Sequence, residues 1–219
     1  MRYMTHNPAY FDTEVAEKLF KPIYPVVAQA ILERTQQRTG DVLDFGCGGG
    51  HLGIEVYKQG AFSSLSFFDV ENEALRRAHD RALAEGIKTA TYQGDACTLV
   101  PSQAIGKTYD LIVSRGSMPF WDDQKAAFTN IAGLLNPGGV AYIGGGMGNA
   151  QLAAQIKEQM RQIREAQGGE GPRLFDRSRS KSLASEAYVE LLEGLGLKCT
   201  VFASEDEGRW IMFRRPAAL

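Results

Sequence analysis

Short apolar runs alternate along this chain with segments in which apolar residues recur every three or four positions. The apolar runs predict seven strands, at residues 41–45, 65–69, 89–93, 110–114, 140–143, 198–202 and 210–214. The periodic segments predict helices at residues 14–20, 23–33, 51–59, 71–85, 122–135, 150–167 and 183–193. This alternation is typical of an α/β protein, in which helices cover both faces of a largely parallel sheet.

The pattern shows no internal repeat and no low-complexity tract. We therefore expect one domain over residues 1–219, with a helical cap at residues 1–38 formed by the segment before the first strand. The long polar stretch at residues 173–181 carries four basic side chains. It is either a plain solvated loop or a segment that closes over an acidic substrate.

Charge and composition narrow the class of protein. The chain has 24 basic and 26 acidic side chains, and its net charge of −2 provides no basic field for nucleic acid. No apolar run approaches the roughly 18 residues of a membrane span, and the N-terminus carries acids where a signal peptide has its apolar core. Three widely spaced cysteines fit neither a disulfide framework nor a zinc site. We expect a cytoplasmic protein that uses no metal.

The most informative segment is a strand, turn and helix at residues 42–53, which read VLDFGCGGGHLG. Its glycines permit positive φ and close approach of a ligand, and the helix start offers N–H groups to an anion. Dinucleotides place a pyrophosphate on such a turn, whereas S-adenosylmethionine (SAM) places its methionine portion there. Asp44 at the strand end favours the cationic ligand. The spacing of Gly48, Gly50 and Gly53 also fits a dinucleotide motif, and a turn without a ligand is a third interpretation.

Acids also follow the next two predicted strands. Asp69 ends the second strand, where a carboxylate can accept hydrogen bonds from ribose hydroxyls. Asp95 follows the third strand, where it can accept a hydrogen bond from an adenine amino group. Either acid alone could be a helix cap or a turn residue. Acids at three successive strand ends together indicate a nucleoside site.

Five ordered motifs resemble those of class I SAM-dependent methyltransferases, within a small-molecule group similar to methyltransferase type 11. They are LDFGCGGG from Leu43, Asp69, the run 94–96, YDLIV from Tyr109 and LLNPGG from Leu134. The resemblance implies a doubly wound, Rossmann-like sheet of seven mostly parallel strands, in the order 3-2-1-4-5-7-6 with strand 7 antiparallel. It also implies that SAM is the cofactor and contacts Asp44, Gly46, Cys47, Gly48, Asp69, Val70, Asp95, Ala96 and Ser114.

The loop at residues 114–121 follows the fourth strand, where this family faces the methyl group. It lacks the Asn-Pro-Pro-aromatic run of adenine methyltransferases and the Pro-Cys of cytosine enzymes. Arg115 suits a substrate carboxylate or phosphate, although it could form a local salt bridge. Tyr24 and Trp121 could line the acceptor pocket or belong to the core. We expect an enclosed, partly aromatic site for a small molecule.

The leading hypothesis is therefore a SAM-dependent methyltransferase that acts on a small molecule, as a monomer or a homodimer. An NAD(P)-dependent oxidoreductase would use a similar turn, but Asp44 and the lack of a recognisable catalytic pair count against it. A SAM-binding module without transfer activity is the third possibility. No residue indicates a general base, and neither the acceptor nor its methylated atom follows from the sequence.

Overall fold

The structure is a computed structural model that describes residues 11–101, 105–166, 183–205 and 207–217. The basic stretch at 173–181 lies outside the described residues. The described helices are α1 (Phe11–Phe20), α2 (Ile23–Thr35), α3 (His51–Gln59), α4 (Asn72–Ala84), α5 (Gln124–Gly133), α6 (Ala150–Ala166) and α7 (Ser185–Glu193). The described strands are β1 (Thr39–Phe45), β2 (Ala61–Asp69), β3 (Thr89–Gln93), β4 (Tyr109–Arg115), β5 (Leu135–Gly145), β6 (Lys198–Ser204) and β7 (Gly208–Arg214).

The seven strands form one sheet in the order β3-β2-β1-β4-β5-β7-β6, which confirms the predicted order. Strand β1 lies between β2 and β4 and is parallel to both. Strand β7 is antiparallel to its neighbours β5 and β6, as expected. The strand order reverses between β1 and β4, so the ends of these two strands form the crevice in which α/β sheets bind ligands.

Alternation along β1 supplies both faces of the sheet. Val42 points into a first core and is joined there by side chains from α2, α3, α4 and α6. Leu43 and Phe45 point into a second core, which α5 and α7 cover with Phe128 and Tyr188. Because each face of the sheet has its own helical layer, β1 is buried on both sides and its carboxyl end is held rigidly.

Helices α1 and α2 bury their apolar side chains in the same first core as β1. Helix α1 is wound as a π-helix, in which hydrogen bonds join residues five apart. Asp12 and Glu17 are five apart and therefore lie one turn from each other on one face of α1. This spacing matters at the site described below.

Strands β2 and β5 both begin earlier than expected, at Ala61 and Leu135, and β5 differs most. The sequence Asn136–Gly139 was expected to separate a helix from a strand starting at Val140, but β5 begins at Leu135. Tyr109 pairs with Leu135 while Leu111 pairs with Val140, so the extra residues form a bulge. Gly138 takes a φ of 81° there, which a glycine adopts without strain.

No helix in the described parts of the chain is both long enough and apolar enough to cross a bilayer.

The contact between β5 and β7 predicts opposite outcomes at two adjacent glycines. In Gly144→Ala, the added Cβ would overlap the carbonyl oxygen of Arg209 and lie 2.8 Å from Trp210 Cα. Because both atoms are backbone, the strands must separate, and we expect a loss of about 1–3 kcal/mol in the free energy of unfolding. In Gly145→Ala the nearest atom lies at 3.6 Å, and we expect a change within about 0.5 kcal/mol. Urea denaturation measures both, and equal losses would contradict this packing.

Candidate functional site

The glycine-rich turn after β1 is fixed by hydrogen bonds to the end of β2. The N–H groups of Gly46 and Cys47 both donate to the carbonyl oxygen of Phe68, at 2.7 and 3.1 Å. The N–H of Gly48 donates to Asp69 Oδ2 at 2.8 Å. Three consecutive backbone donors of the turn are therefore used within the protein and are not available to a ligand.

Behind the turn lies a buried carboxyl group. Asp44 is 2% exposed, and its Oδ2 accepts a hydrogen bond of 2.8 Å from the N–H of Gly53 in α3. A Cβ on Gly53 would lie 2.8 Å from Asp44 Cβ, so α3 can approach the end of β1 this closely only because residue 53 is glycine. Burial raises the pKa of Asp44 to about 8, against an ordinary value of 3.8.

The charge preference of the turn follows from these contacts. A phosphate needs N–H donors, whereas the donors of residues 46–48 are occupied by β2. An ammonium or sulfonium group needs a carboxylate, carbonyl oxygens or other electron-rich atoms. Asp44 and the carbonyl oxygens around it supply such acceptors, and a nearby cation would stabilise the ionised form of Asp44. The turn therefore offers a ligand no N–H donor from residues 46–48, and the buried carboxyl of Asp44 lies behind it.

Asp69 supports the turn and faces the same crevice. Its Oδ1 accepts a hydrogen bond of 3.0 Å from the N–H of Glu71, in addition to the bond from Gly48. The N–H of Val70 is a third backbone donor to this carboxylate, and since a carboxylate has about four acceptor positions, about one remains. Burial raises the pKa of Asp69. The next residue, Val70, is 55% exposed and offers an apolar side chain beside this carboxylate.

The third predicted acid lies in a tight turn after β3. Asp95 is exposed, and its Oδ1 accepts a hydrogen bond of 2.6 Å from the N–H of Cys97. Ala96 is buried beneath it. Since β1, β2 and β3 are parallel neighbours, Asp44, Asp69 and Asp95 stand in order along one edge of the sheet. The structure therefore brings the three acids to the same edge, as the sequence predicted.

The loop after β4 lies directly on the start of the glycine-rich turn. Ser114 is fully buried, and its Oγ is 2.6 Å from Ser117 Oγ. A Cβ on Gly46 would lie 2.5 Å from Ser117 Cβ, which explains why only glycine fits at position 46. Cys47 packs against the first core, and burial raises the pKa of its thiol well above 9.0. The Cys47 thiol is therefore neutral near pH 7 and acts as a small apolar side chain.

A buried ionic network that was not predicted joins α1 to the turn. Asp12, only 3% exposed, accepts hydrogen bonds from His51 Nε2 at 2.9 Å and from Arg81 Nη2 at 3.0 Å. Arg77 Nε lies 3.2 Å from the same carboxylate. Arg81 also donates to the carbonyl oxygen of Gly49 in the turn and pairs with Glu17, one turn along α1. The N-terminal helix is thus tied to the turn and to α4.

The electrostatics of Asp12 indicate that this network is favourable once formed. Burial alone would raise the pKa of Asp12, but the hydrogen bonds from His51 and Arg81 outweigh it, and the pKa is lowered. Spacing offered one weak signal, since Arg77 and Arg81 lie four residues apart on one side of α4. Their partners on α1, Asp12 and Glu17, are more than 60 residues away along the chain, whereas Glu73 pairs with Arg77 within α4.

Two of the three predicted acceptor-side residues come together. The ring of Tyr24 stacks on the imidazole of His51, with 4.8 Å between the ring centroids. The guanidinium carbon of Arg115 lies 5.3 Å from the centroid of the same Tyr24 ring. Arg115 also lies 4.8 Å from the ring centroid of Phe20. Burial raises the pKa of Tyr24 to about 12, so its hydroxyl is neutral at ordinary pH.

The third predicted residue, Trp121, lies elsewhere. It is 6% exposed in the second core, where it packs edge-on against Phe45 and Phe128. The sheet separates it from Tyr24, which belongs to the first core. The sequence placed Trp121 in the acceptor pocket because it shares a loop with Arg115. The short helical turn Met118–Phe120 instead carries the chain to the opposite face, and we correct that assignment.

The fold and this edge of the sheet together define the class I SAM-dependent methyltransferases. Residues 42–139 match the model of the family described as "Methyltransferase domain". The chain is 29% identical to a structure of a candidate SAM-dependent methyltransferase from Methanococcus maripaludis, with a TM-score of 0.79 and coverage of 100% of this chain and 96% of that one. Residues 42–139 are thus similar to this methyltransferase domain, and the whole chain shares the fold of the candidate enzyme from M. maripaludis.

Two further comparisons are more distant. Over 134 residues the chain is 31% identical to the ubiquinone biosynthesis O-methyltransferase of Vibrio parahaemolyticus. The aligned segment covers 61% of this chain and 55% of that protein. The chain thus spans about half the length of the curated relatives it matches. Magnesium protoporphyrin IX methyltransferase from Synechocystis PCC 6803, solved with bound S-adenosylhomocysteine (SAH), is 16% identical, with a TM-score of 0.60 and coverage of 96% and 99%. At that identity the likeness shows the fold alone.

The ionic network predicts a large effect of one substitution on α1. Asp12→Asn would leave two partly buried arginines without their shared carboxylate, and we expect a loss of about 3 kcal/mol in the free energy of unfolding. Glu14→Gln on the same helix removes only an exposed pair with Lys18, and we expect a loss of about 0.5 kcal/mol or less. Urea denaturation of both variants provides the measurement. Similar losses would show that the network contributes no more than a surface pair.

The buried carboxyl predicts a pH-dependent gain in stability for Asp44→Asn. The pKa of Asp44 is about 8 in the folded protein and about 4 when unfolded, so stability that its protonated form contributes is lost as the pH rises between those values. The variant cannot ionise, and its melting temperature should exceed that of wild type by an amount that grows from pH 5 to pH 8. Thermal denaturation in the absence of ligand measures it. The exposed Asp80→Asn serves as control, and a difference independent of pH would contradict the assignment.

Proposed function

We propose that this protein is a SAM-dependent methyltransferase that acts on a small-molecule acceptor. The observation that carries the proposal is the turn at residues 46–48, whose N–H groups are used by β2, in front of the buried carboxyl of Asp44. Such a turn suits the ammonium and sulfonium of SAM. The same contacts disfavour an NAD(P)-dependent oxidoreductase, because a pyrophosphate would meet a carboxyl group and the occupied N–H donors of residues 46–48.

The residues along this edge of the sheet fit the parts of SAM in order. Asp44 would face the methionyl ammonium, Asp69 the ribose hydroxyls, and Asp95 the adenine amino group. Val70 and Ala96 would provide apolar surface for the adenine ring. The remaining proposed contacts come from the turn and from the start of the loop after β4: Gly46, Cys47, Gly48 and Ser114.

When bound, SAM would supply a methyl group on a positively charged sulfur, which a well-positioned nucleophile takes by direct displacement. The chain's contribution is to hold the reactants and to exclude water. Helices α1 and α2 bring Phe20 and Tyr24 over the end of β4 and would shield the methyl group from solvent. We assign no general base, because an acceptor that is already nucleophilic does not need one.

Three observations support a small acceptor rather than a polymer. The net charge of −2 provides no basic groove. The half-buried side chain of Arg115 at the end of β4 is covered by Phe20 of α1 and Tyr24 of α2. The ubiquinone biosynthesis O-methyltransferase relative is named for a small-molecule pathway. We further propose a cytoplasmic, single-domain enzyme with residues 1–38 as its cap, acting as a monomer or a homodimer without a metal.

Calorimetry with SAM and NAD⁺ tests the cofactor, and one pair of glycine variants tests its place. Gly48 and Gly86 both have positive φ, of 51° and 77°, and a Cβ on either would meet no protein atom within 4 Å. Gly48→Ala and Gly86→Ala therefore carry similar backbone strain, about 1–2 kcal/mol. We expect SAM to bind and NAD⁺ not to bind. Gly48→Ala should weaken SAM binding about tenfold or more, because its methyl group enters the ligand's space, while Gly86→Ala leaves the affinity unchanged.

Binding of NAD⁺ in preference to SAM would overturn the proposal in favour of an oxidoreductase. Equal affinities of the two glycine variants would remove the turn from the SAM site. Transfer itself is tested by incubating the protein with SAM and a cytosolic metabolite extract. A metabolite that gains one CH₂ unit only when both are present supports the enzyme. SAM binding without any such product in any extract would favour a binding module.

A further inference from the structure

Arg115 is the least compensated charge near the end of β4. Its Nε and Nη2 both donate to the carbonyl oxygen of Gly146, at 3.2 and 2.9 Å. Its guanidinium lies over the rings of Phe20 and Tyr24, at 4.8 and 5.3 Å from their centroids. Burial lowers its pKa. Within the described parts of the chain, Arg115 takes part in no ion pair with an acidic side chain.

Other arginines around the N-terminal helices are arranged differently. Arg34 in α2 pairs with Glu207, and it also lies over an aromatic ring. Arg77 and Arg81 both pair with Asp12 of α1. Each of these three partly buried guanidinium groups therefore has a carboxylate partner. Arg115 lies against Phe20 and Tyr24 of the first core, but its hydrogen-bond partner is the carbonyl oxygen of Gly146 rather than a carboxylate.

This arrangement leaves one edge of the guanidinium for a ligand. The carbonyl oxygen of Gly146 uses the edge formed by Nε and Nη2. The edge formed by the two terminal nitrogens retains its donors, in the planar fork that matches a carboxylate. The ring faces of Phe20 and Tyr24 hold the cation in place but do not neutralise it. Arg115 is half-buried, and a cation partly removed from water is costly unless a counter-ion completes it.

We propose that Arg115 determines acceptor specificity by binding a carboxylate of the acceptor, so that the enzyme methylates a small carboxylic acid. The inference rests on the proposed function. The two aromatic side chains beside Arg115 belong to α1 and α2, and they would pack against an apolar or aromatic body attached to that carboxylate. SAM also carries a carboxylate, and the experiment separates this second source from the acceptor.

The test compares wild type with Arg115→Met, which keeps an unbranched apolar stem, and Arg115→Lys, which keeps the charge and loses the fork. SAH affinity is measured first by calorimetry. The SAH-saturated proteins are then titrated with three acids and their neutral amides: benzoate with benzamide, phenylacetate with phenylacetamide, and indole-3-acetate with indole-3-acetamide. Arg209→Met is the matched control, because Arg209 also donates to a carbonyl and lies over a ring, that of Tyr188 on the opposite face.

We expect wild type to prefer at least one acid over its amide by tenfold or more. Arg115→Met should reduce that preference to within twofold and leave SAH affinity within threefold, whereas Arg115→Lys should keep part of the preference. Arg209→Met should behave as wild type. Retained preference in Arg115→Met, or no preference for any acid in wild type, would overturn the inference. A tenfold loss of SAH affinity in both Arg115 variants would also overturn it, by assigning the residue to the cofactor.

The inference and the proposed function fail in distinguishable ways. If wild type binds SAH but prefers no acid, only the acceptor class is wrong. If wild type prefers an acid but binds neither SAH nor SAM, the anion site stands and the cofactor assignment fails. Loss of folding in Arg115→Met is detected by its melting temperature, and Arg115→Lys then carries the comparison.

Discussion

The attachment of the glycine-rich turn to the end of β2 is the constraint on which the site depends. Two N–H groups donate to the carbonyl of Phe68 and a third donates to Asp69, so the turn is held by the neighbouring strand before any ligand arrives. These bonds fix the shape of the turn and also remove its donors. The turn therefore presents acceptors, and its charge preference follows from its own hydrogen bonding rather than from its glycine content.

The same turn is held from above by the N-terminal helices. Arg81 donates to the carbonyl of Gly49 while it pairs with Asp12 and Glu17 of α1. Arg77 and Arg81 both face Asp12, Arg81 also faces Glu17, and His51 Nε2 lies within hydrogen-bond distance of Asp12. Asp12 is a residue of α1 and lies next to the turn. A displacement of α1 would therefore break contacts that also position the turn. Helix α1 and the glycine-rich turn are therefore held in place by the same contacts.

Sequence alone predicted the parts of this arrangement that are local. The strands and the acids at the ends of β1, β2 and β3 follow from apolar runs and the residues after them, and the strand order follows from the resemblance to class I methyltransferases. The ionic network of Asp12 could not be predicted, since its members lie up to 69 residues apart and no local pattern pairs them. Trp121 was misplaced for a related reason: a loop of a few residues can cross from one face of the sheet to the other. Leu135 joined β5 early because glycines allow a bulge that a simple pattern treats as a break.

Two charges of opposite sign remain poorly compensated at the ends of the adjacent strands β1 and β4. Asp44 has one backbone N–H as a partner, and Arg115 has one carbonyl oxygen and two ring faces. Within the described residues, Asp44 and Arg115 form no ion pair with each other, in contrast to Asp12 and Arg81. Each group costs folding stability when ionised, and each would recover that cost when a ligand of opposite charge binds. The two strand ends therefore lower folding stability, and for the same reason they would favour a cation beside Asp44 and an anion beside Arg115.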